Sequence, residues 1–502
     1  MIEKVNRTAK QRVETGQPIQ MPPQHQPPFT QREPQKKLIP SFIAGLQDFA
    51  YGETYWTIFK YWAPELISAL IFYAFAIIDS YWIADLKSTS TYTTLNVTNN
   101  FFHFMSKVAE GLSIGTVIIT GQYNGRSCLT DVGRTLRDSF WTTILVGGIF
   151  AAALSFGAHA IYTAYGVPQR MIEIGTPYLR LRAWGIFFMF VSLAFIGFLR
   201  GIKNTRVPMW IFTGGGAFFV LFDYVLIKGK FGFPALGLKG SAIASVAQYV
   251  AMSIMALGYT FLNKENKKYG IRLFDSFTRW EDVKRLFMVS WPTILDKATV
   301  AAAYIWLGAM VAKMGTLALA SFSVIKDLER FAFLPAIAFA QVITFLVSNS
   351  YGMQDWRGIK SSIKKILFLS SGMTFAILAL FSIYTDKLVP LFDRKGEFTA
   401  FSARVFPYLS VLVFFDLLQL ILSGALRGAA NVRVVMWTRL FVCVLYFAPV
   451  SYLFTQLPLD DRPALKFFLV YGSFYLGNAL MSIVYIRRFR GEAWKKEAVW
   501  QK

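Results

Sequence analysis

The sequence predicts an all-α integral membrane protein with twelve transmembrane helices, arranged as two six-helix bundles related by a pseudo-twofold axis along the membrane normal. The first observation is composition: 55% of the 502 residues are hydrophobic and 16% are charged, whereas a soluble chain carries roughly 25% charged residues. The second is a series of apolar runs near the length of about 20 residues that a helical span requires. The third is an internal repeat. Because lipid admits only helices or closed barrels, and barrel-type alternation is absent, the spans must be helices.

The repeat is carried by two similar stretches, IGFLRG at 196–201 and SGALRG at 423–428. Three pairs of landmarks keep nearly one offset, 227 residues for the first two and 228 for the third: Gly197 and Gly424, Gly125 and Gly352, Pro64 and Pro292. A shared register over such a distance indicates duplication. Six spans per half keep both repeats in the same orientation, and many secondary transporters place their site between such repeats.

The elements follow in chain order. Residues 1–50 are polar and rich in Gln and Pro, which predicts a disordered cytosolic tail. The predicted spans are 61–85, 94–121, 139–163, 175–199, 207–227, 240–262, 287–311, 318–348, 366–384, 401–425, 433–455 and 465–486. The predicted domains are an N-lobe over 51–262, a cytosolic inter-lobe loop over 263–286, a C-lobe over 287–487 and a basic cytosolic C-terminal tail over 488–502.

The formal charge of +23 lies between and beyond the spans, which argues against nucleic acid as a partner. The loops after even-numbered spans, with Arg433 at the start of the eleventh span included, carry 19 Lys and Arg residues, against 10 in the odd-numbered loops. The positive-inside rule therefore predicts a multi-pass protein of the cell membrane with both termini in the cytosol. Within the inter-lobe loop, Trp280–Arg285 has the pattern of an amphipathic interfacial helix.

No hydrolytic machinery is visible: Walker A and HExxH patterns are absent, and a GxSxG pattern at 111–115 falls inside the predicted second span, away from any strand-to-helix turn. Cys128 and Cys443 have no metal-binding spacing. We therefore expect a transporter and not an enzyme, without a cofactor, driven by an H⁺ or Na⁺ gradient or running downhill. Its expected partners are a small-molecule substrate and the lipid bilayer, and we expect a monomer.

Ionisable residues inside spans are costly in lipid, so each is a candidate site residue. Asp79 lies deep in the first span, where it can carry a proton, bind an ion, balance a cation or serve as a structural carboxylate paired with Lys107. Asp223 lies in the fifth span, as a functional acid or as an interfacial one. If the two acids meet, their repulsion raises one pKa and creates a proton-binding pair. The polar second span adds Asn100 as a candidate substrate ligand.

The second half has its own acids. Asp416 and Gln419 share one face of the tenth span, and a carboxylate beside an amide is a candidate Na⁺ site. Asp296 in the seventh span and Glu329 in the eighth are candidate substrate or cation ligands, with neutralised ion pairs as the alternative. Lys297 is a cation that could satisfy Asp416 or Glu329.

The chain resembles the multidrug and toxic-compound extrusion (MATE) family, within the larger group that includes lipid-linked oligosaccharide flippases. The resemblance covers roughly 60–486 and rests on the order of several stretches: the Pro64-led helix ending near Asp79, 110–116, 199–208, 222–224, 233–245 and 416–428. It implies a twelve-helix antiporter that exchanges Na⁺ or H⁺ for organic, often cationic, compounds. By resemblance, Asp79 and Asp223 match the acids of the N-lobe proton pocket, Ser245 a polar position of the sixth helix, and Asp416 the C-lobe cation site.

The predicted function is therefore ion-coupled export of small organic, often cationic, compounds by alternating access between two lobes. A flippase for a lipid-linked saccharide or wall precursor is the alternative, favoured by basic residues inside the lobes. A facilitator of the major type would show an Asp-Arg-x-Gly run after the second span, where this chain reads YNGRS at 123–127. A membrane scaffold would have neutral span interiors, unlike those at Asp79 and Asp416.

Overall fold

The computed structural model describes residues 51–84, 89–164, 166–274, 279–393, 396–459 and 461–496, and in these ranges the chain is helical without strands. The predicted disordered tail, 1–50, lies outside the described residues. We number the helices α1–α15 in chain order. The first half contains α1 Tyr55–Ala84, α2 Thr89–Gly125, α3 Leu129–Ala164, α4 Gln169–Gly201, α5 Arg206–Lys228 and α6 Leu238–Leu262.

The second half begins with α7, Trp280–Ala312, and ends with α15. Between them lie α8 Thr316–Ala332, α9 Leu334–Gly352, α10 Trp356–Ile383, the short α11 Thr385–Leu388, α12 Thr399–Gly428, α13 Val432–Phe441 and α14 Ala448–Gln456, with α15 spanning Pro463–Arg490. Short 3₁₀ turns follow α6, α11 and α15.

Two predicted spans are interrupted helices. The eighth consists of α8 and α9, which meet at Phe333, and Pro335 follows within the first turn of α9. Proline lacks the N–H that would continue the hydrogen-bond ladder, so the break falls where the ladder is weakest. The eleventh consists of α13 and α14, joined by a π-helical turn at Val442–Phe447.

Among the described residues, eleven helical segments are long and apolar enough to cross a membrane, with α13 to α14 taken as one. Helix α2 is not among the eleven, although it has 37 residues. It carries a polar stripe, including Asn99, His103, Lys107 and Glu110. With α2 as the second span, the twelve-helix prediction is confirmed, and the polarity of α2 is explained by its place between the lobes, against α7 and α9.

The glycines of the repeated stretches allow two equivalent close contacts. A Cβ atom at Gly197 of α4 would lie 2.7 Å from the carbonyl oxygen of Ser113 on α2. In the second half, a Cβ atom at the equivalent Gly424 of α12 would lie 2.9 Å from the carbonyl oxygen of Ala340 on α9. Such contacts are open only to glycine, so the repeated stretch marks the same helix crossing in both lobes.

Several residues assigned to loops from the sequence are helical. Arg200 and Arg427, counted above as loop cations, lie in the last turns of α4 and α12 and are largely shielded from solvent. Trp280–Arg285, predicted from the sequence to form an amphipathic helix, are helical as the first turns of the 33-residue helix α7. Beyond 487, α15 continues to Arg490, and Trp494 is fully buried against Tyr351 and Trp356.

Candidate transport pathway between the lobes

The two predicted acids of the N-lobe lie on neighbouring helices. Phe75 of α1 packs against Phe219 of α5 at a ring-centroid distance of 6.5 Å, and Trp82 packs against Tyr224 at 5.6 Å. Asp79 and Asp223 each follow the first of these contacts by four residues, so they stand at one level of the paired helices. Asp223 is fully buried, whereas the side chain of Asp79 lies outside the described part of the structure, as does that of Asn100.

At the middle of the spans, charged side chains link the lobes. The Nζ atom of Lys107 donates to Glu110 at 3.0 Å within α2, as the spacing predicts. The Nζ atom of Lys297, on α7 of the other lobe, lies 3.9 Å from the second carboxylate oxygen of Glu110. The Lys107 side chain is 41% exposed, that of Glu110 is 36% exposed and that of Lys297 is 24% exposed. Charge that is both mid-span and exposed indicates a water-accessible cleft between the lobes.

Asp296 does not pair with its neighbour Lys297. It is 1% exposed and accepts from Arg427 Nη2 at 3.0 Å and from Arg439 Nε at 2.5 Å. The suggestion that Lys297 satisfies Asp416 or Glu329 was also wrong, since Lys297 contacts Glu110. A carboxylate held by two guanidinium groups is a neutralised anchor for α7, α12 and α13 and is poorly placed to take a transported cation.

Two other C-lobe acids, Asp416 and Glu329, lie on other helices of the bundle. Asp416 of α12 accepts from Asn478 Nδ2 of α15 at 3.0 Å. Glu329, at the end of α8, is buried and accepts a hydrogen bond from the hydroxyl of Tyr471. Their donors, Tyr471 and Asn478, lie seven residues apart, about two helical turns, on one face of α15. The acids and their donors form a polar cluster inside an apolar bundle, reached from α8, α12 and α15.

The remaining predicted ligands, Gln419 and Ser245, are buried. Gln419 is 1% exposed on α12, and its Nε2 atom has no hydrogen-bond partner among the described residues. Ser245 is buried in α6. Across the part of the chain that the structure describes, no group of three or more His, Cys, Asp or Glu residues could hold a metal ion.

Three buried arginine interactions are not predicted by the sequence pattern. Arg200 binds both carboxylate oxygens of Glu65, at 2.8 and 2.6 Å. Arg182 donates to Asn99 at 2.9 Å, and its guanidinium lies 4.5 Å from the ring centroid of Phe102. The third is the contact of Arg427 with Asp296. Arg182 lies inside the predicted fourth span, and Arg200 and Arg427 lie one and two residues beyond predicted spans, so a search for arginines in and next to the spans would have found them.

Two repeated helical lobes, with a charged cleft between them and acids buried inside, define a membrane transporter. The MatE family profile matches residues 64–225 and 292–453, so the two matches start 228 residues apart and confirm the duplication. The chain belongs to the MatE family, and, as predicted, it is a multi-pass membrane transporter and not an enzyme.

Relatives and solved structures agree with this assignment. The probable multidrug resistance protein NorM of Rhizobium meliloti (strain 1021) is 23% identical over 384 residues, covering 74% of this chain and 81% of the relative. A crystal structure of MATE in the bent conformation has a TM-score of 0.77 at 18% identity, covering 86% and 94% of the two chains. The outward-facing conformation of a multidrug resistance MATE family transporter also gives 0.77, at 17% identity and the same coverage.

Proposed function

We propose that this protein is an ion-coupled antiporter that exports small organic compounds by alternating access between its two lobes. The observation that carries the proposal is the Lys107–Glu110–Lys297 link, where partly exposed charges of opposite lobes face each other at mid-span. Relatives described as multidrug resistance proteins support export of varied organic compounds. Location in the cell membrane, cytosolic termini and a monomeric state are part of the proposal.

We favour H⁺ as the coupling ion and place its C-lobe site at Glu329 and Asp416. Both carboxylates receive hydrogen bonds from neutral donors, Tyr471 and Asn478. A Na⁺ site would instead gather several oxygen acceptors around the ion. Burial inside an apolar bundle disfavours the charged form of a carboxylate and so favours the binding of a proton. The N-lobe acids Asp79 and Asp223 form a second candidate proton site.

The test uses purified protein in proteoliposomes, with H⁺ and Na⁺ gradients imposed separately on a panel of organic cations and anions. Glu329→Gln and Asp416→Asn should reduce proton-driven uptake about tenfold or more while substrate-driven exchange persists. Asp327→Asn is the matched control, because this α8 acid is exposed and next to the cluster in sequence. Transport driven by Na⁺ alone, or full coupling in both variants, would contradict the assignment.

The second candidate is a flippase for a lipid-linked saccharide. It is favoured by the cations inside the C-lobe, where Arg427 and Arg439 share the carboxylate of Asp296. Two arginines beside one carboxylate leave one positive charge in excess, and positive charge suits a pyrophosphate group. Flipping of a labelled lipid-linked saccharide, with no exchange of soluble compounds, would establish this function instead.

A further inference from the structure

Side-chain amides join the two lobes at the end where α1 begins, which we call the basic end. The Nε2 atom of Gln122, in the N-lobe, donates to the carbonyl oxygen of Gly428 at 3.2 Å. The Nδ2 atom of Asn349, in the C-lobe, donates to the carbonyl oxygen of Gly201 at 2.9 Å. Adding the 227-residue offset to Gln122 gives Asn349, and subtracting it from Gly428 gives Gly201. The two bonds are therefore one interaction, repeated by the pseudo-twofold axis.

The acceptors of these bonds are helix ends. Gly201 and Gly428 are the last residues of α4 and α12, and the last carbonyls of a helix lack partners within it. An amide from the opposite lobe satisfies each of them. The repeated stretches therefore have two roles. They pack helices together within a lobe, and the carbonyl oxygens of their final glycines accept hydrogen bonds from the other lobe.

Glycines bring the helix ends between these bonds into backbone contact. A Cβ atom at Gly125 would lie 2.0 Å from the carbonyl oxygen of Asn349, and one at Gly352 would lie 2.2 Å from that of Gln122. Asn124 adds a third cross-lobe bond, from its Nδ2 to Asn349 Oδ1 at 2.7 Å. No side chain fits at either glycine while the ends touch.

We propose that Gln122, Asn349 and the Gly125–Gly352 contact form an amide latch that closes the basic end and opens when the transporter turns to face that side. Both glycine contacts are with backbone carbonyl oxygens of the opposite lobe, so the lobes are closed tightly at the basic end. Neutral amide bonds suit a latch, because water can replace them at little net cost when the ends separate. The latch goes beyond the proposed function, since it holds for any substrate or coupling ion.

The test is a steric wedge. Gly125→Ala and Gly352→Ala insert a methyl group where the structure leaves no room, whereas Gly258→Ala and Gly372→Ala are matched controls with no atom within 4 Å. Spin labels at two exposed positions at this end report the separation by pulsed dipolar spectroscopy: Glu265→Cys, in the 3₁₀ turn that packs on α3 and α6 of the N-lobe, and Lys360→Cys, in α10 of the C-lobe. The background carries Cys128→Ser and Cys443→Ser.

We expect the wild type and the control variants to share one short distance distribution in proteoliposomes. Each wedge variant should add a longer distance, with the ratio of closed to open protein reduced about tenfold or more. Gln122→Leu and Asn349→Leu each remove a hydrogen-bond donor while keeping a side chain of similar volume. Each variant alone should reduce the ratio of closed to open protein less than a wedge variant does, and the double variant should reduce it more than either alone.

Unchanged distances in wedge variants that insert normally would overturn the latch. If a wedge variant does not fold, the two leucine variants decide the question by the same distances. Because this readout needs no substrate, failure of the latch is distinguishable from failure of the proposed antiport, which would show as absent exchange in the wild type.

Discussion

Asp393 shows how much one residue can organise outside the membrane. Its carboxylate, in the loop before α12, accepts from the backbone N–H groups of Glu397, Phe398 and Thr399 and from the Thr399 hydroxyl, at 2.8–3.1 Å. Burial acts to raise the pKa of Asp393, but these four hydrogen bonds to the charged form outweigh it and hold the pKa below its ordinary value. The ionised carboxylate thus fixes the turn that starts α12.

The sign of the resulting pH dependence follows from the direction of this shift. A folded-state pKa below the unfolded value gives stability that is fully present above about pH 4, the ordinary range of Asp. That stability is lost as pH falls through the folded-state pKa. We expect Asp393→Asn to lower the midpoint of thermal unfolding at pH 7, and the difference from wild type to shrink below pH 4. An equal difference at pH 7 and pH 3 would show that its charge is not what stabilises the turn.

At the scale of elements, the crossing of α12 with α9 should be sensitive to one methyl group. Gly428→Ala places a Cβ atom 2.4 Å from the carbonyl oxygen of Thr344, which is backbone and cannot rotate away. Overpacking of this kind costs about 1–3 kcal/mol. Thermal unfolding in detergent should show the loss, with Gly372→Ala as the control in open space on α10. Equal stability of the two variants would mean that the helices move apart freely.

The interrupted helices are a second property of elements that the sequence only partly predicts. Pro335 and Pro449 are visible in the sequence, and each lies just after the break in its span. A proline within a helical pattern can kink the helix, start a new helix, or be accommodated without a break. The packing of neighbouring helices decides among these outcomes. The apolar runs therefore predict the positions of the eighth and eleventh spans but not the interruption within each helix.

At the scale of the whole molecule, the N-terminal tail should be separable from transport. Residues 1–50 have a composition that cannot bury enough apolar surface to fold alone, and the repeated unit begins at Pro64. Deleting residues 2–45 should leave gradient-driven efflux within about twofold of the wild type at equal membrane abundance, because the lobes and their contacts are intact. Loss of efflux with normal insertion would show that the tail takes part in transport.

The sequence alone determined the membrane class, the duplication, the approximate spans and the family resemblance. These properties follow from composition and from a register shared by two halves, and neither depends on which residues meet in space. It also located Asp223, Asp416 and Glu329 as acids inside spans, because a carboxylate in an apolar run is conspicuous without any structure.

Only the tertiary structure decided which charges are partners. Lys297 stands next to Asp296 in the chain, yet it faces Glu110 of the other lobe, while Asp296 is held by Arg427 and Arg439 from more than 130 residues away. Adjacent residues on a helix point about 100° apart, so chain proximity is a poor guide to pairing. The cross-lobe bonds of Gln122 and Asn349 depend likewise on how two lobes meet, which no local pattern encodes.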